Sequence, residues 1–147
     1  MRRLVLTAAL AAFSFTAAHA ADDPIKVRKS IMQSVGGAAG LAGGMMKGSV
    51  PYSPAAGKAA IATFNAAAMS FGSFFPEGSD SGDTTAAPAI WSDADGFKES
   101  LAKFASATTA AAAASGREGP ADLDAFKEAV MPILSNCKSC HQTFRVK

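Results

Sequence analysis

The residues able to do chemistry stand together near the end of the chain, in Cys137-Lys138-Ser139-Cys140-His141. On a helix, positions 137, 140 and 141 are i, i+3 and i+4, so two thiols and one imidazole emerge on one side. This C-x-x-C-H spacing is the attachment signature of a c-type haem. Each thiol can add to one haem vinyl group to give a thioether bond. The imidazole of the next residue is then held under the iron as its proximal ligand. Other readings of the same residues are weaker. A thioredoxin-like redox pair wants a βαβ context, which this chain lacks. Structural zinc wants four Cys or His ligands, more than remain once the leader described below is removed. A plain disulfide between Cys137 and Cys140 is the last alternative.

The first twenty residues read as an export signal. Arg2 and Arg3 give a basic start, Leu4 to Phe15 form an apolar stretch, and Ala18-His19-Ala20 supplies small residues at a cleavage site. The apolar run is short for a membrane span, which needs roughly 20 residues. Cleavage is expected after Ala20, leaving residues 21–147 as one mature domain. Fourteen basic residues then fall to twelve, matching the twelve acidic ones. His19 is lost as well, so His141 becomes the one histidine and nothing competes with it for the proximal role. Covalent haem attachment also requires export, so leader and motif agree.

Composition excludes more than it names. Two cysteines cannot build a disulfide-rich scaffold. A formal charge of +2, scattered along the chain, is too small for nucleic-acid binding. Hydrophobic residues at 49% over this length suit a single domain with a real core. Trp and Tyr occur once each while alanine runs dominate, which favours helix over sheet.

Four stretches of helical period must position the motif. The first opens at Asp23 as N-cap with Pro24 behind it, and Gly48 and Pro51 end it. Its glycines at 36, 37, 40, 43 and 44 each cost about 1 kcal/mol against alanine. Close helix packing would compensate, as would room for a bulky flat ligand. The second has Ser53 as cap, Ile61, Phe64, Ala68, Phe71 and Phe75 on one face, and Pro76 as stop. Residues 77–89 read as a long exposed loop, after which Ile90-Trp91 should return to the core. Ser92 or Asp93 caps the third, which buries Phe97, Leu101, Phe104, Thr108 and Ala111. Gly116 and Gly119 break it. Pro120 can open the fourth, whose face runs Leu123, Phe126, Val130, Ile133, Cys137, His141 and Phe144. Pro132 inside that helix should kink it. The fold expected is an all-α, antiparallel up-down four-helix bundle with covalently bound haem.

With these residues in place the chain resembles the class II c-type cytochromes, the cytochrome c′ family, whose haem site lies near the end of the last helix. The resemblance is carried by Ile25-Lys26-x-Arg28-x-x-x-Met32, by Ile90-Trp91-Ser92 with Phe97, and by Cys137 to Arg145. It implies one haem c, joined through two thioether bonds to Cys137 and Cys140, with His141 on the iron. It implies that Arg28 pairs with a haem propionate and that Arg145 lies beside the proximal imidazole or a propionate. Met32 occupies the position that decides the second axial site. In cytochromes c′ proper an apolar residue stands there, and the open iron accepts nitric oxide or carbon monoxide. In low-spin relatives a methionine there supplies the sixth ligand, and the Met/His pair suits one-electron transfer. The chain is most like the latter. Met45 and Met46 lie several turns further along the same helix, and Met69 and Met131 lack the Arg-x-x-x-Met context.

The expected function is therefore that of a periplasmic monohaem electron carrier, with a five-coordinate gas-binding protein as the alternative. No acid–base or nucleophile constellation points to an enzyme. Phe64, Phe71, Trp91, Phe97, Phe104, Phe126 and Phe144 are expected to wall the pocket. The partners are redox proteins that the sequence does not identify, with neither nucleic acid nor stable membrane insertion expected. The resemblance also implies a homodimer through the first two helices, which the small residues of the first would permit.

Overall fold

The computed structural model describes residues 23–146, so the signal segment 1–20 and its cleavage site lie outside the described residues. Helix α1 spans Pro24–Lys47, α2 Pro54–Ser70, the single turn α3 Ala89–Ser92, α4 Ala94–Ser115 and α5 Leu123–Phe144. The four long helices form an antiparallel bundle, the all-α architecture expected, with no strand among the described residues.

The helix limits follow from local chemistry. The Asp23 carboxylate accepts from the Ile25 and Lys26 amides, and Gly48 closes α1 in the left-handed region at φ 74°. Ser53 caps α2 through the Ala56 amide, and Asp93 caps α4 through the Gly96 amide. Two expectations change. Pro120 does not open α5: Asp122 is extended and accepts from the Ala125 amide, so the helix starts at Leu123. Pro120 is instead buried in the preceding connection, where its carbonyl accepts the Tyr52 hydroxyl. Phe75 does not continue α2 either, because Phe71–Phe74 tighten into a 3-10 turn that leaves Phe75 outside the helix.

α5 runs through Pro132. Pro132 and Glu128, the residue whose carbonyl loses its partner, are both exposed, so water can satisfy that carbonyl.

The main core joins Val35, Ala38, Ala42 and Met45 of α1 to Ala60, Ile61, Phe64 and Ala67 of α2, and to Phe126, Val130 and Ile133 of α5. Each large side chain buried there contributes about 1.5–3 kcal/mol relative to exposure. A smaller cluster, Ile90, Phe97 and Phe144, packs with Phe75, Trp91, Leu101 and Cys140 at one end of the bundle. That end gathers the start of α1, the end of α2, the start of α4 and the end of α5.

Of the glycines of α1, only Gly44 is explained by packing within the chain, since a Cβ there would come within 2.8 Å of Val50 Cγ2. A Cβ added at Gly36, Gly37, Gly40 or Gly43 would meet nothing within 4 Å.

Candidate functional site

The last two turns of α5 present Cys137 and Cys140 as free, half-buried thiols. The disulfide alternative is thus not realised. Burial pushes the Cys137 thiol up, and Cys140 adds to the shift, so it stays protonated at neutral pH. His141 is exposed on the flank of the same helix. What desolvation its ring has, and then the positive charge on Arg145, draw its pKa below the ordinary value. The imidazole is therefore neutral at pH 7, with a ring nitrogen free to coordinate.

Two different surroundings meet at this turn. On the inner side, Cys140 packs against the aromatic cluster. Phe75 is its hub, edge-on to Phe71 at 5.0 Å, to Trp91 at 6.1 Å and to Phe97 at 4.8 Å between centroids. On the outer side, Lys138, His141, Gln142, Arg145 and Val146 line a groove of about 440 Å³. Among the described residues, two cations and no carboxylate line it.

The expected aromatic wall divides. Trp91, Phe97 and Phe144 belong to the cluster on which Cys140 packs, with Phe71 reaching it through Phe75, whereas Phe64, Phe104 and Phe126 belong to the main core. Phe126 stacks on Tyr52 at 5.6 Å, about 17 Å along the helix axis from Cys137. Phe75 was not among the expected wall residues. The sequence places it on the apolar face of the second helix, just before Pro76, without assigning it to the pocket.

Arg28, expected beside a propionate, is 4% exposed and engages the connection after α2. It donates to the carbonyls of Phe74 and Ser79 and to the hydroxyls of Ser79 and Thr84. Burial lowers its pKa while Asp23 opposes the shift, and it remains a cation. Met32 is half-buried one turn along α1, packed against the main core. Of the other methionines, Met45 is fully buried in that core, while Met69 and Met131 are exposed. Arg145 is exposed, its backbone bridged to Ala86.

The donor set tests the cofactor. Two thiols one turn apart, an adjacent neutral imidazole, an aromatic wall for a flat apolar ring and nearby cations for its carboxylates together fit a covalently held haem. They do not fit a structural zinc: among the described residues no group of three or more His, Cys, Asp or Glu could hold a metal ion.

A family model described as Cytochrome C′ matches residues 23–145. This chain belongs to the cytochrome c′ family. It is 36% identical over 123 residues to a cytochrome c-556 of Agrobacterium tumefaciens strain II Chrys, covering 84% of this chain and 97% of that one. It is 33% identical over 146 residues to the cytochrome c′ of Rhodopseudomonas palustris, covering 99% and 97%. The solved structure of a cytochrome c′ from Rhodopseudomonas palustris superposes with a TM-score of 0.76 at 34% identity, covering 85% of this chain and 97% of that one. Cytochromes of this family carry haem c, covalently attached, and the cofactor expected from the C-x-x-C-H motif is thus the family's own. No helix among the described residues is long and apolar enough to cross a membrane.

Proposed function

We propose that this protein is exported, loses residues 1–20, and works in the periplasm as a monohaem electron carrier built on residues 21–147. Bound haem supplies a one-electron iron couple. Cys137 and Cys140 hold it by thioether bonds, and His141 takes the proximal position with its neutral ring nitrogen. Arg145 lies close enough to bias the charge around that ring, and Arg28 is a candidate for a propionate through the guanidinium N–H it does not spend on the 74–84 connection. Met32 would supply its thioether sulfur to the iron as a second protein ligand, a soft neutral donor that would stabilise the reduced state. The observation that carries this reading is the methionine itself, half-buried one turn from the buried Arg28.

The family description taken alone favours the second reading, a five-coordinate protein that binds nitric oxide or carbon monoxide at an open face. In that case Met32 is a core residue packed beside the ring. Visible spectra of the purified holoprotein separate the two. Low-spin bands in both oxidation states, unmoved by carbon monoxide, support electron transfer; a high-spin spectrum that shifts on exposure to the gas establishes the alternative.

A homodimer through α1 and α2 is part of the proposal. It gives the open glycines of α1 a neighbour that the single chain does not supply. The redox partner is a separate protein.

A further inference from the structure

Arg28 does more than sit near the site. Its guanidinium is buried, yet all four bonds it donates end on neutral oxygens of the segment after α2. Nη1 donates to the Phe74 carbonyl at 3.2 Å and the Ser79 hydroxyl at 3.0 Å. Nη2 donates to the Ser79 carbonyl at 2.8 Å and the Thr84 hydroxyl at 3.4 Å. Its flat face covers Phe75 at 4.7 Å and Trp91 at 5.8 Å. A fork of rigid donors suits this task, where a lysine would offer a single point charge.

The other edge of the same segment is tied to α5. Ala86 and Arg145 form an antiparallel bridge. The Ala87 amide donates to the Phe144 carbonyl at 3.1 Å, and the Val146 amide to the Thr85 carbonyl at 2.9 Å. Thr84 joins the two edges, because its hydroxyl oxygen accepts from Arg28 and also from the Ala86 amide at 3.1 Å. The path runs Arg28, Thr84, Ala86, Arg145, and ends one turn past His141.

We propose that Arg28 is a positioning residue for the proximal imidazole, acting through the strap of residues 75–88 that it clasps to α1 and that in turn pins the last turn of α5. This role is separate from any contact of Arg28 with a propionate. It requires the acceptors on the strap, which a propionate contact does not.

The test uses the holoprotein with Arg28→Gln and, separately, Thr84→Val with Ser79→Ala, which leaves the charge in place and removes two of its acceptors. Amide exchange at Ala87 and Val146 should rise about tenfold in both variants, while the Gly119 and Phe126 amides at the far end keep their rates. The ferric electron paramagnetic resonance spectrum, with one iron environment in the parent, should gain a second component in both. The exchange readout depends on the protein alone. Only the resonance readout rests on ligation by His141, so a failure of that ligation shows in the parent spectrum first. Exchange unchanged in the Thr84/Ser79 variant overturns the proposal, whatever Arg28→Gln does. Faster exchange with an unaltered iron spectrum overturns the positioning role and leaves a structural tie.

Discussion

The rings of Phe97 and Phe144 meet edge-on with their centroids 5.3 Å apart, joining the first turns of α4 to the last residue of α5. Both are buried. Truncating Phe97→Ala removes the ring that touches both Phe75 and Phe144, and should cost about 3–5 kcal/mol. Urea denaturation of the holoprotein measures this; a loss under 1 kcal/mol would mean that the cluster rearranges to fill the space.

Met32→Leu preserves size and apolarity but removes the sulfur. If Met32 ligates, the holoprotein should turn from low-spin to high-spin and begin to bind carbon monoxide. An identical spectrum in parent and variant takes Met32 out of the iron's coordination.

Gly36→Ala and Gly40→Ala place methyl groups where nothing lies within 4 Å in the single chain. Each should stabilise the monomer by about 1 kcal/mol. If a second copy packs on this face, the same changes weaken self-association. Thermal melts at low concentration and sedimentation at high concentration should therefore move in opposite senses; sedimentation unaffected by both changes removes these glycines from the interface.

Tyr52 donates its hydroxyl to the buried carbonyl of Pro120, across the two short connections at the far end. Tyr52→Phe leaves that carbonyl without its donor and should cost about 1–3 kcal/mol. The urea midpoint reads it, and a midpoint equal to the parent's means that water takes the hydroxyl's place.

The acid limb of stability carries two identifiable contributions, from Asp83 and, through its hydrogen bond and ion pair with Lys103, from Glu99. The hydrogen bond from Lys29, and then its charge, hold the Asp83 carboxyl below its usual range. A lowered folded pKa stabilises above the unfolded carboxylate's value of about 4, and the contribution is lost as pH falls through the lower folded value. Both side chains are exposed, so the effect is small. Asp83→Asn should make the fall in urea midpoint between pH 5 and pH 3 shallower; superimposable profiles refute it.

Much of the frame was legible because its signals are local. Asp23, Ser53 and Asp93 cap the helices they precede, and the spacing of Cys137, Cys140 and His141 defines the motif without any tertiary information. Pro120 misled because proline suits a first helical turn and a tight connection equally well. Asp122, two residues on, is the better cap, because its side chain accepts from the Ala125 amide while Pro120 has no side-chain acceptor. The expected wall residues divide between two clusters because helical period puts Phe126 and Phe144 on one face without saying which end of the bundle each serves. Arg28 lay further out of reach. Its partners at Phe74, Ser79 and Thr84 sit in a segment of irregular backbone, where neither period nor composition encodes contact.

The two short connections of the bundle are sewn to each other away from the thiols. Beyond the Tyr52 bond, Lys58 donates to the Arg117 carbonyl, and Gly119 at φ 100° passes so near the Pro54 carbonyl that any side chain would collide with it. A polypeptide closed at that pole can zip up before its pigment arrives, like a purse stitched shut at the base. The maturation apparatus would then meet a substrate already closed at one pole, and the pigment-free form should resist proteases there.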